Sequence, residues 1–470
     1  MSKRGSGVAT FLIAGTAAFM AALDTLVVTT ALPSIRTELA ASLESLEWTV
    51  NAYTLTYAVC LLAAAVVGDR FGRRRVFLAG LAVFTAASAA AALAGSVEAL
   101  IAARVVQGLG ASVIIPLTLT LVVVSVPQER RGRVIAGFGA MIGLGIALGP
   151  WIGGAVIGHG SWQGVFWINV PLGLILLPLA ARFLAESRGP HDRLDTRGVA
   201  LVVAGLFGVV FGLIRSTTLG WAHPQVLAPI AAGALVLVWF ARWERRAAHP
   251  IVPPTLFRNR GFVLSNVLAL LVQGGVLGSV FLLTQFLQNV LAYPPFEAGV
   301  RTLPWTMLPV LVAPVAGVLG ERLGVRGLMV AGAALQGVAL AWFAVVVSPA
   351  VPYALLLPGM VVAGAGMGLF FALGARQMLD FVPPAQEGVA SGANNAMRQT
   401  GIVMGVAVLS SVFAATGGYG SAASFVAGLR PALWTGSAIL AAAVVVALLI
   451  PAAPLPPPAP PAEMLAAAES

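Results

Sequence analysis

Charge is scarce in this chain: only 9% of its 470 residues are Asp, Glu, Lys or Arg, where a soluble domain carries about a quarter. That scarcity excludes a water-exposed surface over most of the chain. Lysine is nearly missing, Lys3 being its sole example. No phosphate loop of the Gly-x-x-x-x-Gly-Lys type can therefore be built. Cysteine is represented by Cys60 alone, and His159, His191, His223 and His249 are scattered; a disulfide or a metal cage is not expected from them. No nucleophile stands in a pattern with a base, so neither an enzyme nor a cofactor is expected. Any work this chain does would draw on an ion gradient.

What is present is apolar sequence, 59% of residues with a mean hydropathy of +0.95. A bilayer-crossing helix needs roughly 20 apolar residues, and such runs follow one another nearly without pause. They predict an all-α polytopic membrane protein with fourteen spans, near 8–32, 46–67, 76–95, 99–126, 134–157, 165–184, 198–216, 225–241, 261–290, 298–319, 327–348, 353–380, 391–416 and 430–451. The runs do not alternate as barrel strands do. The first carries Asp24 in its interior and is too long for a signal peptide, so it reads as a retained helix. The net charge of +10 sits in connections between spans and so marks orientation, not nucleic acid. One set of connections holds Lys3, Arg4, Arg70, Arg73, Arg74, Arg75 and most other bases, with Arg398 counted among them. The opposite set holds Arg36, Arg215, Arg301 and Arg430. The asymmetry predicts both termini on the cytoplasmic side of the cell's inner membrane.

The densest charge lies at Gly68-Asp69-Arg70-Phe71-Gly72-Arg73-Arg74-Arg75, between two apolar runs. A weaker copy, Gly320-Glu321-Arg322-Leu323-Gly324-Val325-Arg326, stands in the same setting in the second half. Gly108-x-Gly110 pairs likewise with Gly364-x-Gly366, and Val126-Pro127 with Val382-Pro383. These repeats predict a short leader (1–7), a six-helix bundle (8–184), two inserted helices with linkers (185–260), a second six-helix bundle (261–451) and a disordered Pro/Ala-rich tail (452–470). Parallel six-helix repeats are a transporter architecture, with the binding site at their interface near mid-membrane.

The charged turn resembles the loop signature G-x-x-x-D-R-x-G-R-R of the major facilitator superfamily, although Ala65 stands at its leading glycine. Gly145-x-x-x-Gly149-Pro150-x-x-Gly153-Gly154 is similar to the motif shared by that superfamily's antiporters. Arg104-x-x-Gln107-Gly108-x-Gly110, and Leu23-Asp24-Thr25 through Ala31-Leu32-Pro33, resemble further signatures. With fourteen spans the match is to the drug:proton antiporter branch and covers nearly the whole chain. Ser161-Trp162-Gln163 departs from it, since the branch commonly has Trp-Arg-Trp there. The resemblance implies a proton-coupled antiporter that exports hydrophobic, cationic drugs by alternating access. It needs protons, a lipid bilayer and a small hydrophobic substrate, with one chain sufficing. An exporter of a lipid or natural product by the same mechanism, and a non-transporting membrane sensor, stand as alternatives.

Asp24 sits ~12 Å from the end of its span, about eight helical residues. An intramembrane acid is costly and functional by default, so Asp24 is the expected proton carrier. Arg104 lies at similar depth, cannot shed its charge and needs an acceptor, for which Asp24 is the natural partner. No other acid is expected deep in a span; Asp380 and Arg376 read as a surface pair one helical turn apart. By resemblance, Gly68, Asp69, Arg70, Gly72, Arg73 and Arg74 gate the cytoplasmic side. Gly145, Gly149, Gly153 and Gly154, with Pro150, let helices approach closely. Candidate pocket residues are Asn51, Tyr53, Gln107, Asn266, Gln273, Gln285, Trp305 and Asn395.

Overall fold

The computed structural model describes residues 3–127, 131–188, 195–247, 253–383 and 386–451. The expected tail and the connections holding Arg130, His191, Arg193 and His249 lie outside them. The helices are α1 (Lys3–Glu38), α2 (Leu43–Phe71), α3 (Arg73–Ala92), α4 (Val97–Val124), α5 (Arg131–His159), α6 (Gly164–Trp167), α7 (Asn169–Phe183), α8 (Thr196–Leu219), α9 (Pro224–Glu244), α10 (Pro254–Arg258), α11 (Arg260–Asn289), α12 (Pro295–Thr306), α13 (Leu308–Leu323), α14 (Val325–Val346), α15 (Tyr353–Leu379), α16 (Glu387–Thr416) and α17 (Ala422–Leu449). No strand occurs among the described residues. Thirteen stretches are long and apolar enough to cross a membrane, and α2, at 29 residues, joins them. Thirteen of the fourteen expected spans are thus met, and α2 occupies the place of the other.

Several helices start where the chain supplies a side-chain cap. Ser42, Ser96, Asp195, Asn259 and Ser421 each accept from a backbone amide in the first turn of α2, α4, α8, α11 and α17. The cap at Ser421 starts α17 well before the expected 430. Arg430 therefore lies inside the helix, where its Nη2 donates to the Val347 carbonyl at 2.9 Å. The tenth span is broken at Met307, between α12 and α13, with Pro304 and Pro309 on either side; each proline withholds one backbone donor.

The internal repeat is literal in three dimensions. Gly72 (φ 104°) separates α2 from α3, and Gly324 (φ 82°) separates α13 from α14. Both conformations lie where a Cβ is disfavoured. A Cβ on Gly68 would strike Leu117 of α4, and one on Gly320 would touch Leu373 of α15 at 3.0 Å. Gly108 presses on the backbone of α2 and Gly110 on that of α3; Gly364 and Gly366 do the same to α12 and α14. The helices α8 and α9 pack on each other, and α8 also lies against both α2 and α16. Leu55 and Val59 of α2, Val210 and Leu213 of α8, and Val403 and Ala407 of α16 form one small core there. The inserted pair thus touches both halves.

Close contacts between the halves gather at the end of the bundle opposite the Gly68–Arg75 turn, called the far face below. Gly154 of α5 lies against Pro295 of α12, and Gly299 of α12 against Pro150. Gln288 of α11 donates to the Thr30 carbonyl of α1 at 3.2 Å. An open cleft beside this contact is lined by Pro33, Thr37, Glu38 and Tyr293.

Candidate functional site

Asp24 of α1 and Arg104 of α4 are both 0% exposed and ion-paired, Arg104 Nη1 to Asp24 Oδ2. Arg104 does not reach toward an interface. Its Nη1 also donates to Gln107 Oε1 at 2.7 Å, its Nε donates to the Thr49 carbonyl at 2.9 Å, and its guanidinium lies 4.2 Å from the Tyr53 ring centre. The other Asp24 oxygen accepts from Gln107 Nε2 at 2.9 Å and from Asn169 Nδ2 of α7 at 3.1 Å. Gln107 Nε2 donates also to Ser88 of α3 at 2.8 Å. One carboxylate is thereby tied to α4 and α7, and through Gln107 to α3, while Arg104 binds α2. Both oxygens are taken up inside the first bundle, so a cargo reaches Asp24 only after these bonds rearrange.

Gln107 therefore lies in the charge network and not among loosely placed pocket groups. Tyr53 also closes onto the first bundle, donating from its hydroxyl to the Ala21 carbonyl at 2.9 Å. Asn395 does face the interface, its Nδ2 donating to the Tyr57 hydroxyl of the other half at 2.8 Å. Asn266 accepts from Asn394 at 3.1 Å. With its amide turned so that both groups are satisfied, Gln273 accepts from Arg398 Nη2 and Nε, each at 3.2 Å. Gln285 accepts from the Tyr419 hydroxyl. Trp305 is buried against Phe343, its indole N–H without a partner, and both polar atoms of Asn51 are likewise buried and unpartnered. Arg398 is not a connection residue as its sequence position suggests. It lies well inside α16 beside the Phe371 ring, in a wall shared with Ser265, Gln377 and Asn394.

The charged turn is held by its own half. Arg73 Nε donates to Asp69 Oδ1 at 2.8 Å, and Arg70 stacks 5.2 Å from the Phe71 ring centre. Glu186, beyond α7, accepts from the Arg74 and Arg75 amides at 3.0 and 3.3 Å. The Arg74 side chain donates to the Ala181 carbonyl. Glu186 carries no sequence signal beyond being an acid near a basic cluster. In the antiporter-like motif, Gly145, Gly149 and Gly153 seat α5 on α1, against Phe19, Leu26 and Thr30. Gly154 looks the other way, onto α12. One helix thus serves two contacts, one within its bundle and one between bundles.

Besides Glu186, sequence reasoning missed three groups. Asn169 and Ser88 are ordinary polar residues in apolar runs, and only the packing of α7 and α3 on α1 and α4 reveals them. Glu47, close to the start of α2, is the third: it is 0% exposed, two residues from Thr49, and neither carboxyl oxygen has a hydrogen-bond partner among the described residues. The acids around it, Glu44 and Glu38, disguised it as part of a connection. Nearby, burial pushes the Tyr419 hydroxyl above its ordinary value; Glu47 adds to the push and Arg36 opposes it. At the near end, Asp380 is raised by burial, with Arg376 opposing.

The sequence matches the profile of the Major Facilitator Superfamily over residues 14–405 and 280–468. It is 34% identical over 413 residues to the tetracenomycin C resistance and export protein of Streptomyces glaucescens, covering 87% of this chain and 77% of that protein. It is 37% identical over 417 residues to the cephamycin export protein CmcT of Amycolatopsis lactamdurans, covering 87% and 86%. Among solved structures, a POT family peptide transporter superposes with a TM-score of 0.66 at 18% identity, covering 94% of this chain and 95% of that one. The xylose transporter XylE from E. coli gives 0.65 at 14%, covering 95% and 98%. Two repeated bundles, a glycine-hinged charged turn and these matches lead to one conclusion: the chain belongs to the Major Facilitator Superfamily, whose members are transporters and not enzymes.

Proposed function

We propose that the chain is a proton-coupled antiporter that exports hydrophobic antibiotic-class compounds from the cytoplasm by alternating access. The names of its relatives, exporters of tetracenomycin C and of cephamycin, support the class of cargo. The enclosed Asp24–Arg104 pair carries the coupling. An ionised carboxylate with 0% exposure is tolerable only while a cation and donors hold it. Protonation frees Arg104 to seek another acceptor and loosens α1 from α4 and α7. Binding a proton thus biases the balance of inward and outward states, which is what coupling requires. The arginine asymmetry supports cytoplasmic termini in the cell membrane, and the far face is then external. In this reading, Asp69 and Arg73 gate the cytoplasmic side when the halves rock together, and Asn395, Tyr57 and Arg398 line the path between them.

Proteoliposomes holding a trapped pH dye test this. Adding tetracenomycin C or a cephamycin should start a proton flux absent from empty vesicles. A protein that binds such compounds without moving protons would overturn the reading and favour a sensor.

A further inference from the structure

Glu47 has no part in the coupling just described, yet it is the most anomalous acid among the described residues. Its side chain is 0% exposed, and neither oxygen has a hydrogen-bond partner. The group across from it belongs to the other half: Ser410 of α16, whose hydroxyl is also buried and unpartnered. Above them lies Tyr419, in the connection after α16, which donates to Gln285 of α11 and carries Arg36 at 4.0 Å over its ring. Charged groups on the elements packed against α2 are engaged elsewhere. Arg104 binds Asp24. Arg215 of α8 stands 3.6 Å from Glu44. Arg398 of α16 bonds Gln273. Arg36 lies on Tyr419.

Among the described residues no cation bonds the Glu47 carboxyl, so its ionised form would be an uncompensated buried charge. The neutral acid needs far less, since a protonated carboxyl can donate to the Ser410 hydroxyl and accept from it. The closed far face, where α2 meets α16, is therefore compatible with the neutral acid only. Separating α2 from α16 would admit water and accommodate the ion.

We propose that Glu47 is a proton-binding latch of the far face. Neutral, it allows α2 to close on α16 against Ser410; ionised, it holds that face open. The ligand is a proton taken from the external side, and the site is distinct from Asp24. This rests on reading the chain as an alternating-access transporter with the far face external. It predicts that external acid closes this face and so drives the transporter inward, even with no cargo present.

The test uses the full chain in nanodiscs with Cys60 replaced by alanine and spin labels on cysteines at Gly95 and Gly420. These exposed positions lie on the far face, one in each half, with nothing within 4 Å of an added Cβ. The interlabel distance is followed against pH without substrate. The parent should pass from a short-distance population at low pH to a long-distance one at high pH. Glu47→Gln should lose that transition and stay short throughout; Glu47→Asp should retain it. A parent without a transition, or Glu47→Gln keeping the parental midpoint or opening at every pH, overturns the latch. The substrate-driven proton flux is a separate readout, so a failure of coupling and a failure of the latch are told apart.

Discussion

The two six-helix bundles share a backbone plan but not a chemistry. In the first, Arg104 and Gln107 of α4 meet Asp24 of α1 in a network that is 0% exposed. At the repeat-related positions of α15, aligned by Gly108-x-Gly110 and Gly364-x-Gly366, stand Met360 and Ala363, also 0% exposed. The helix α11, counterpart of α1, carries no acid at all. The same scaffold is therefore stable with an apolar core at this place. The buried ion pair is not what holds such a bundle together, since a buried pair is weak evidence for stability. Its retention in one half alone points to a duty that half performs.

Copying the second half into the first is the sharpest way to break this comparison. Arg104→Met alone leaves the Asp24 carboxylate without its cation and should lower stability by ~3–5 kcal/mol, seen as a reduced melting temperature in detergent. Adding Asp24→Val should return most of that stability while leaving export uncoupled. A double variant as unstable as the single one would mean that the two cores differ in more than charge.

The glycines of α5 separate packing within a half from packing between halves. Gly153→Val pushes into Thr30 of the same bundle and should cost ~1–3 kcal/mol of stability, as overpacking does. Gly154→Val meets Pro295 of the other half and should leave stability near the parent while hindering closure of the far face, read as slowed export. Equal losses of stability in both would erase the distinction.

A smaller effect is expected at the charged turn. Asp69→Asn weakens the bond to Arg73, whose side chain is 13% exposed. It should slow turnover by roughly tenfold, the equivalent of ~1.4 kcal/mol, with folding and substrate binding retained. Full-rate export would reduce the turn to a topological signal. Smallest of all, Gly324→Ala meets open space and bears only its backbone penalty, about 1 kcal/mol. Gly72→Ala must also displace the Glu186 carboxylate, 2.8 Å from the added carbon, and should lose more. The ratio of the two melting shifts measures how far the repeated turns have diverged.

The fold was largely legible because membrane helices must satisfy their own backbone, which leaves long apolar runs that length alone can find. The Asp24–Arg104 pair was legible for the same reason: a charge in such a run must have a partner. Glu47 escaped because it stands one turn from the polar start of its helix, where an acid looks exposed. Only the packing of α16 shows that it is sealed. Arg398 escaped in reverse: its charge groups it with the connections, yet the span expected from 391 already contains it and α16 begins at Glu387. Glu186, Asn169 and Ser88 are legible only through tertiary contacts, because nothing local distinguishes them.

One carboxylate in the first bundle carries the proposed coupling, and Asp24→Asn addresses it directly. Export driven by an imposed pH gradient should be measured in proteoliposomes for the parent, Asp24→Asn and Asp24→Glu at matched protein content. Asp24→Asn should insert normally but lose gradient-driven export, while Asp24→Glu should keep part of it. Gradient-driven export by Asp24→Asn at the parental rate would contradict the account and place the coupling proton elsewhere.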